Sequence, residues 1–242
     1  PVTEDPSLVL KNVDAGVLTA LLTKRAIPKI LTDGPDCGAK FFVQETKEII
    51  NTICVPSSTR DSNAPKVPLR SFINFQSFPQ LTFGILQSSF LMTPFPTGPD
   101  GRFAEILNMR SIGIIDLLLF SYPRVMTIDR ELLTLSKSSL NKYLNNILII
   151  HSYNFVYIWS LSKETLLKEL GNQDTRNGLV DVDKIDNEQL KMSVKSCWAL
   201  SRKFLITIAI FGEDALNVFL VENAITSNFN YASWLEPFRP AL

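Results

Sequence analysis

Along much of this chain apolar residues recur at the three- and four-residue spacing of an amphipathic helix. Val17, Leu18, Leu21 and Leu22 make one stripe behind Asp14, a suitable N-cap, and predict a helix from Ala15 to about Arg25 that Pro28 limits. The cluster Asp33-Gly-Pro-Asp-Cys-Gly38 reads as a turn, and Phe41, Phe42, Ile49, Ile50 and Ile53 predict a second helix over residues 40 to 54. Residues 55 to 68 hold three prolines among polar neighbours and little to bury, the pattern of a linker or long surface loop. Phe72, Phe75, Phe78, Phe83, Phe90 and Phe95, punctuated by Pro79, Pro94 and Pro96, predict short helices or irregular pieces packed on a core.

Farther on, a helix is expected from Phe103 to Tyr122, weak at Gly113 and stopped by Pro123. Thr127 is placed to cap another helix through Ile128 to Leu135, and Ser136 to Ile150 continues it or begins another. Ser162 caps Lys163 to Leu170 ahead of Gly171, and residues 172 to 186 form a polar turn region. The longest line of apolar positions, Leu190, Val194, Trp198, Leu205, Ile208, Ala215 and Phe219, runs through residues 187 to 224, with Gly212 as a point of division. The runs 147 to 159 and 204 to 211 are rich in β-branched and aromatic residues and are possible strands, although no regular βα alternation surrounds them.

This pattern predicts a mainly α protein with few or no strands, built as two helical lobes or one large helical domain. The expected organisation is an N-terminal arm and small helical unit over 1 to 54, a linker over 55 to 68, a main helical domain over 69 to 226 and a C-terminal arm over 227 to 242.

Composition narrows the chemistry. Twenty-four basic residues balance twenty-four acidic ones, so no global field draws the chain to nucleic acid or acidic lipid. The three cysteines, Cys37, Cys54 and Cys197, are odd in number and widely spaced, which argues against a disulfide framework or a zinc site and favours a cytoplasmic or other reducing intracellular compartment. No export signal is visible, and no run reaches the roughly 18 apolar residues a membrane span needs. The one histidine, His151, lies in an apolar run, which excludes any site that requires two imidazoles.

The sequence carries no GxSxG, HExxH, GxxxxGK[ST] or GxGxxG motif. Residues 172 to 185 resemble a calcium loop only until Gly178 is set on the invariant glycine, which leaves Gln173, Thr175 and Lys184 at ligand positions. Neither metal nor cofactor is expected. The remaining enzyme reading uses His151, or Cys37 in its Gly-Pro-Asp-Cys-Gly turn, in an unfamiliar site.

Two features point instead to binding. Lys191, Lys195, Arg202 and Lys203 share one helical stretch, and Lys24, Arg25 and Lys29 crowd another, so both are candidate phosphate contacts, with a solvated helix face as the plainer account. The tail carries Phe229, Tyr231, Trp234, Leu235 and Phe238, large anchors that dock either on the same chain or on a neighbouring copy. The resulting expectation is a non-enzymatic, self-assembling helical protein that binds RNA or another polyanion, nucleocapsid- or coat-like, with itself as homo-oligomeric partner. A helical adaptor or scaffold for a protein partner is the alternative.

Overall fold

A computed structural model describes residues 13–54, 73–88, 91, 98–133, 140–175, 177–201, 205–217, 219 and 231–236 of the 242. The chain forms two compact units, one of residues 1–121 together with 224–242, the other of residues 122–223. The expected linker at 55 to 68 lies outside the described residues, and the division between units falls after Ser121 and after Asn223.

The first unit is helical. Helix α1, Ala15–Asp33, starts where Asp14 Oδ1 accepts the Val17 N–H at 2.9 Å. It runs through Pro28 rather than stopping before it, because one missing backbone donor costs less than giving up the turn beyond, which buries Ile30. Only Gly34, at φ 88°, separates it from α2, Pro35–Cys54, so the expected turn cluster shrinks to one residue. Pro35 opens α2 at a position where its absent N–H has no helical partner to lose.

Short helices α3, Phe78–Leu86, α4, Gly98–Ser111, and α5, Ile114–Ser121, complete the body of this unit, the last two divided at Gly113. Its core includes Leu22, Ile27, Phe42, Ile50, Phe75, Phe78, Phe83 and Met109. Four threonines are buried among them, and each hydroxyl donates to the carbonyl four residues earlier: Thr19 to Ala15, Thr23 to Thr19, Thr46 to Phe42 and Thr82 to Phe78, at 2.7–2.8 Å. These polar groups therefore enter the core already satisfied.

The second unit overturns the expectation of a mainly α protein with few or no strands. Strands β1, Arg124–Thr127, β2, Leu132–Leu133, β3, Leu148–Ser152, β4, Phe155–Ser160, and β5, Ile206–Phe211, build one mixed sheet in the order β2-β1-β3-β4-β5. All pairings are antiparallel except β4 with β5. Thr127 does not cap a helix. Its hydroxyl accepts the Glu131 N–H at 3.2 Å inside the β1–β2 turn, where Arg130 takes φ 65°.

Between β4 and β5 the chain crosses through α6, Lys163–Glu169, a 3₁₀ turn at Val182–Lys184 and α7, Glu188–Leu200. Ile149, Val156 and Ile158 on one sheet face meet Leu166, Leu170, Val182, Ile185, Leu190, Val194 and Cys197 from this crossover in a single buried cluster. The opposite face holds Leu148, Ile150 and Trp159, also fully buried, and Trp159 Nε1 donates to the Gly212 carbonyl at 2.7 Å. With both faces covered, β3 shows no apolar–polar alternation, and in a sequence its run is indistinguishable from a buried helix.

Asn187 joins two parts of the crossover. Its Oδ1 accepts the Leu190 N–H at 2.9 Å as the cap of α7, while its Nδ2 donates to Glu169 Oε2 at 2.6 Å. Asn187→Ala is expected to cost about 1–2 kcal/mol in chemical denaturation, with Asn187→Ser recovering the capping part. Equal stability of the alanine and wild-type proteins would show that the cap carries no weight.

Candidate functional site

The basic candidates divide between the units, and all whose side chains are described have partners close by. In the first unit Lys24 Nζ donates to the Ile112 carbonyl at 3.0 Å, Arg25 pairs with Glu45 at 2.9 Å while lying over the Phe41 ring, and Lys29 is 3.6 Å from Asp33. In the second, Lys191 pairs with Glu188 at 2.8 Å, Lys195 with Asp183 at 2.7 Å and Lys184 with Asp181 at 3.1 Å. The Lys195 ammonium, by hydrogen bond and charge, holds the Asp183 carboxyl below its ordinary value, and Asp183 raises Lys195 in return. Arg202 and Lys203 lie outside the described residues. A polyanion approaching either group meets cations that already have a carboxylate or carbonyl in contact, and exposed pairs of this kind add little stability of their own.

The tail anchors are distributed unevenly. Helix α8, Tyr231–Leu235, brings Trp234 into the first unit, where it is 3% exposed, donates from Nε1 to the Pro79 carbonyl at 2.9 Å and sits 6.4 Å from the Phe83 ring. Leu235 is half-buried in the same helix, whereas Phe229 and Phe238 lie outside the described residues. The best anchor of the arm is thus engaged by its own chain.

The enzyme candidates are dispersed. His151 is fully buried in β3, opposite Val156 on one side and Arg124 on the other. Cys197 is fully buried in α7, and burial pushes its thiol up to about 11 against the weaker opposing pull of Arg124, a Ser196 hydrogen bond and Arg130. Cys37 is exposed in the first unit. Alkylation at neutral pH followed by peptide mapping is expected to label Cys37 rapidly and Cys197 only after unfolding; early Cys197 labelling would mean that α7 opens readily. Because the Cys197 thiol ionises near 9 in its ordinary environment and about 11 in the fold, its support of the native state is complete below pH 9 and lost as pH rises through 11.

Among the described residues no three His, Cys, Asp or Glu side chains gather in a way that would hold a metal ion, and no helix is long and apolar enough to cross a membrane.

Among the described residues of the second unit, two concavities carry polar side chains. A polar one of about 280 Å³ is lined by Thr127, Asp129, Asn145, Asn146, Asn187 and Gln189, and Gln189 is hydrogen-bonded to Asp129. The larger, about 390 Å³, lies between α6, residues 173–175 and the end of β5. Leu166, Leu167, Ala209 and Phe211 supply its apolar lining, and Lys163, Gln173, Asp174 and Thr175 its polar one. Phe211 is 51% exposed there, with the Lys163 ammonium 5.2 Å from its ring centre. The sequence offers no sign of this site: Lys163 follows a helix cap and Phe211 ends an apolar run, and only the crossover brings them together.

No protein-family model and no curated protein matches the chain. Solved structures do. The crystal structure of the human COPII-coat protein Sec24c aligns with 96% of this chain at a TM-score of 0.70 and 13% sequence identity, and the alignment covers 31% of that larger chain. At this identity the likeness establishes a shared mixed α/β fold.

Proposed function

We propose that this chain is a non-enzymatic, protein-binding segment of a coat-type assembly. The single observation that carries the reading is the fold shared with a COPII-coat protein over nearly the whole chain, the helical unit and the sheet unit together. The engaged state of the basic candidates supports a protein partner over a polyanion, since RNA would have to displace Glu188, Asp183, Glu45 and Asp33 from their cations. Cis docking of Trp234 supports a hetero-complex over a homo-oligomer held by the tail.

The test is gradient sedimentation of the tagged protein from its own cells, with and without ribonuclease, followed by cross-linking mass spectrometry. The expected result is a ribonuclease-resistant complex in which coat polypeptides cross-link to this chain in fixed ratio. Collapse of the complex under ribonuclease would restore the RNA reading, and migration as a lone chain or a simple homo-oligomer would remove the coat assignment.

A further inference from the structure

We infer that the open end of the β5 edge and the 390 Å³ cavity beside it form a docking site for an extended peptide segment bearing an apolar side chain two positions before a carboxylate. The inference rests on the reading of the chain as a protein-binding segment and names the chemistry of one partner.

Strand β5 is the last in the sheet. Its Ile206 N–H bonds to the Asn154 carbonyl at 3.0 Å, and the Gly212 N–H just beyond its end bonds to the Ser160 carbonyl at 3.1 Å, so even-numbered backbone groups face β4 and those of Thr207, Ala209 and Phe211 face outward. Part of that outer edge is occupied. The Val180 N–H reaches the Thr207 carbonyl at 3.0 Å, and the Ala209 N–H reaches the Gly178 carbonyl at 2.7 Å. There the cover ends: Gly178 turns at φ 74°, and its own N–H goes back to the Thr175 carbonyl at 2.8 Å instead of to Ala209. The Ala209 carbonyl and the Phe211 N–H are left facing outward, with no described strand beside them. A ligand strand parallel to β5 would bond to both through the residue opposite Ile210, and the two residues flanking it would turn their side chains to the face of Ala209 and Phe211.

Side-chain recognition follows from the cavity. In an extended ligand alternate side chains point the same way, and one of them would enter between Leu166, Leu167 and Ala209 with Phe211 at the mouth. The wall is held in place, because the Gln173 amide donates to the Leu170 carbonyl at 2.8 Å and its Oε1 accepts the Asp181 N–H at 2.8 Å. Lys163 sets the charge. It has no carboxylate within ion-pair distance among the described residues, in contrast to Lys184, Lys191 and Lys195. Asp174 on the same lining opposes a polyanion, so the fit is to one carboxylate beside Lys163 and not to a phosphate chain.

The probe is a fluorescein-labelled octapeptide, Thr-Val-Thr-Leu-Val-Glu-Thr-Val, titrated into the full 242-residue chain with anisotropy and amide NMR readouts. Saturable binding is expected, with amide shifts confined to residues 163–167, 173–175 and 209–212. N-methylating the valine between the leucine and the glutamate, which removes an edge hydrogen bond, should weaken binding about tenfold. Lys163→Glu should weaken the glutamate peptide and strengthen its lysine counterpart, and Phe211→Ser should weaken both; each side chain is exposed, so the variants are expected to fold. Absence of saturable binding, shifts elsewhere, or binding indifferent to both substitutions would overturn the site. Such a failure leaves the gradient result, and with it the coat reading, untouched; peptide binding without coat polypeptides in the gradient would instead keep the site and remove that reading.

Discussion

Trp234→Ala is expected to lower the stability of the helical unit by about 3–5 kcal/mol and to leave the mass of the native protein unchanged. The indole is 3% exposed, and its Nε1 shares the Pro79 carbonyl with the Thr82 hydroxyl, which bonds it at 3.0 Å. Truncation removes a large apolar surface next to Phe83 and opens a cavity that the short helix α8 is poorly placed to refill. Trp234→Phe separates the contributions: it keeps most of the packing, loses the hydrogen bond and leaves Pro79 served by Thr82, so a cost of about 1 kcal/mol is expected. Denaturation followed by circular dichroism, with light scattering on the same samples, checks both parts. A Trp234→Ala protein of wild-type stability, or one whose oligomers become smaller, would return the tail to the role of an intermolecular arm.

Gly84→Ala is expected to destabilise the same unit by about 2–3 kcal/mol, although alanine is the better helix former. A Cβ on Gly84 would lie 1.9 Å from the Ser121 carbonyl oxygen and 2.8 Å from its carbon. Both atoms are backbone, at the end of α5, so helices α3 and α5 must separate for the methyl group to fit. The intrinsic helical gain of about 1 kcal/mol is too small to offset that repacking. Gly113→Ala is the control, because a Cβ there meets nothing within 4 Å. Thermal unfolding of the two variants should show a lower midpoint for the first and little change for the second; equal midpoints would show that the approach of α3 to α5 is freely adjustable.

How far these features can be read from the chain varies with their range. Asp14 and Ser162 cap the helices expected of them, and Gly113 divides a helical stretch where a glycine should. These are contacts across three or four residues, and the residue types alone decide them. Thr127 shows the limit. A hydroxyl that accepts a nearby N–H suits either a helix cap or a tight turn, and the pairing of β1 with β3, Val125 against Ile150 and Met126 against Ile149, selects the turn. The run from Leu148 to Trp159 is similar: β-branched and aromatic residues made a strand possible, but burial on both faces erased the alternation that would have identified it.

The candidate site was less legible than the fold. Its edge exists because Gly178 turns away from β5, and its charge exists because Lys163 forms no ion pair among the described residues, and neither fact has a signature in residue order. The basic clusters were visible in sequence, yet the carboxylates that engage them include Glu45 and Asp183, 20 and 12 positions from their partners.

By itself the amino-acid order determined the capped helices, the turn glycines and the lack of any familiar catalytic or metal-binding motif, because these depend on side-chain chemistry and spacings of a few residues. Only the tertiary structure decided that two apolar runs become paired strands, that Trp234 docks on its own chain and that Lys163 and Phe211 share a cavity. Those outcomes depend on which distant surfaces exclude water together, and the free energy of that burial belongs to pairs of segments that no local pattern joins.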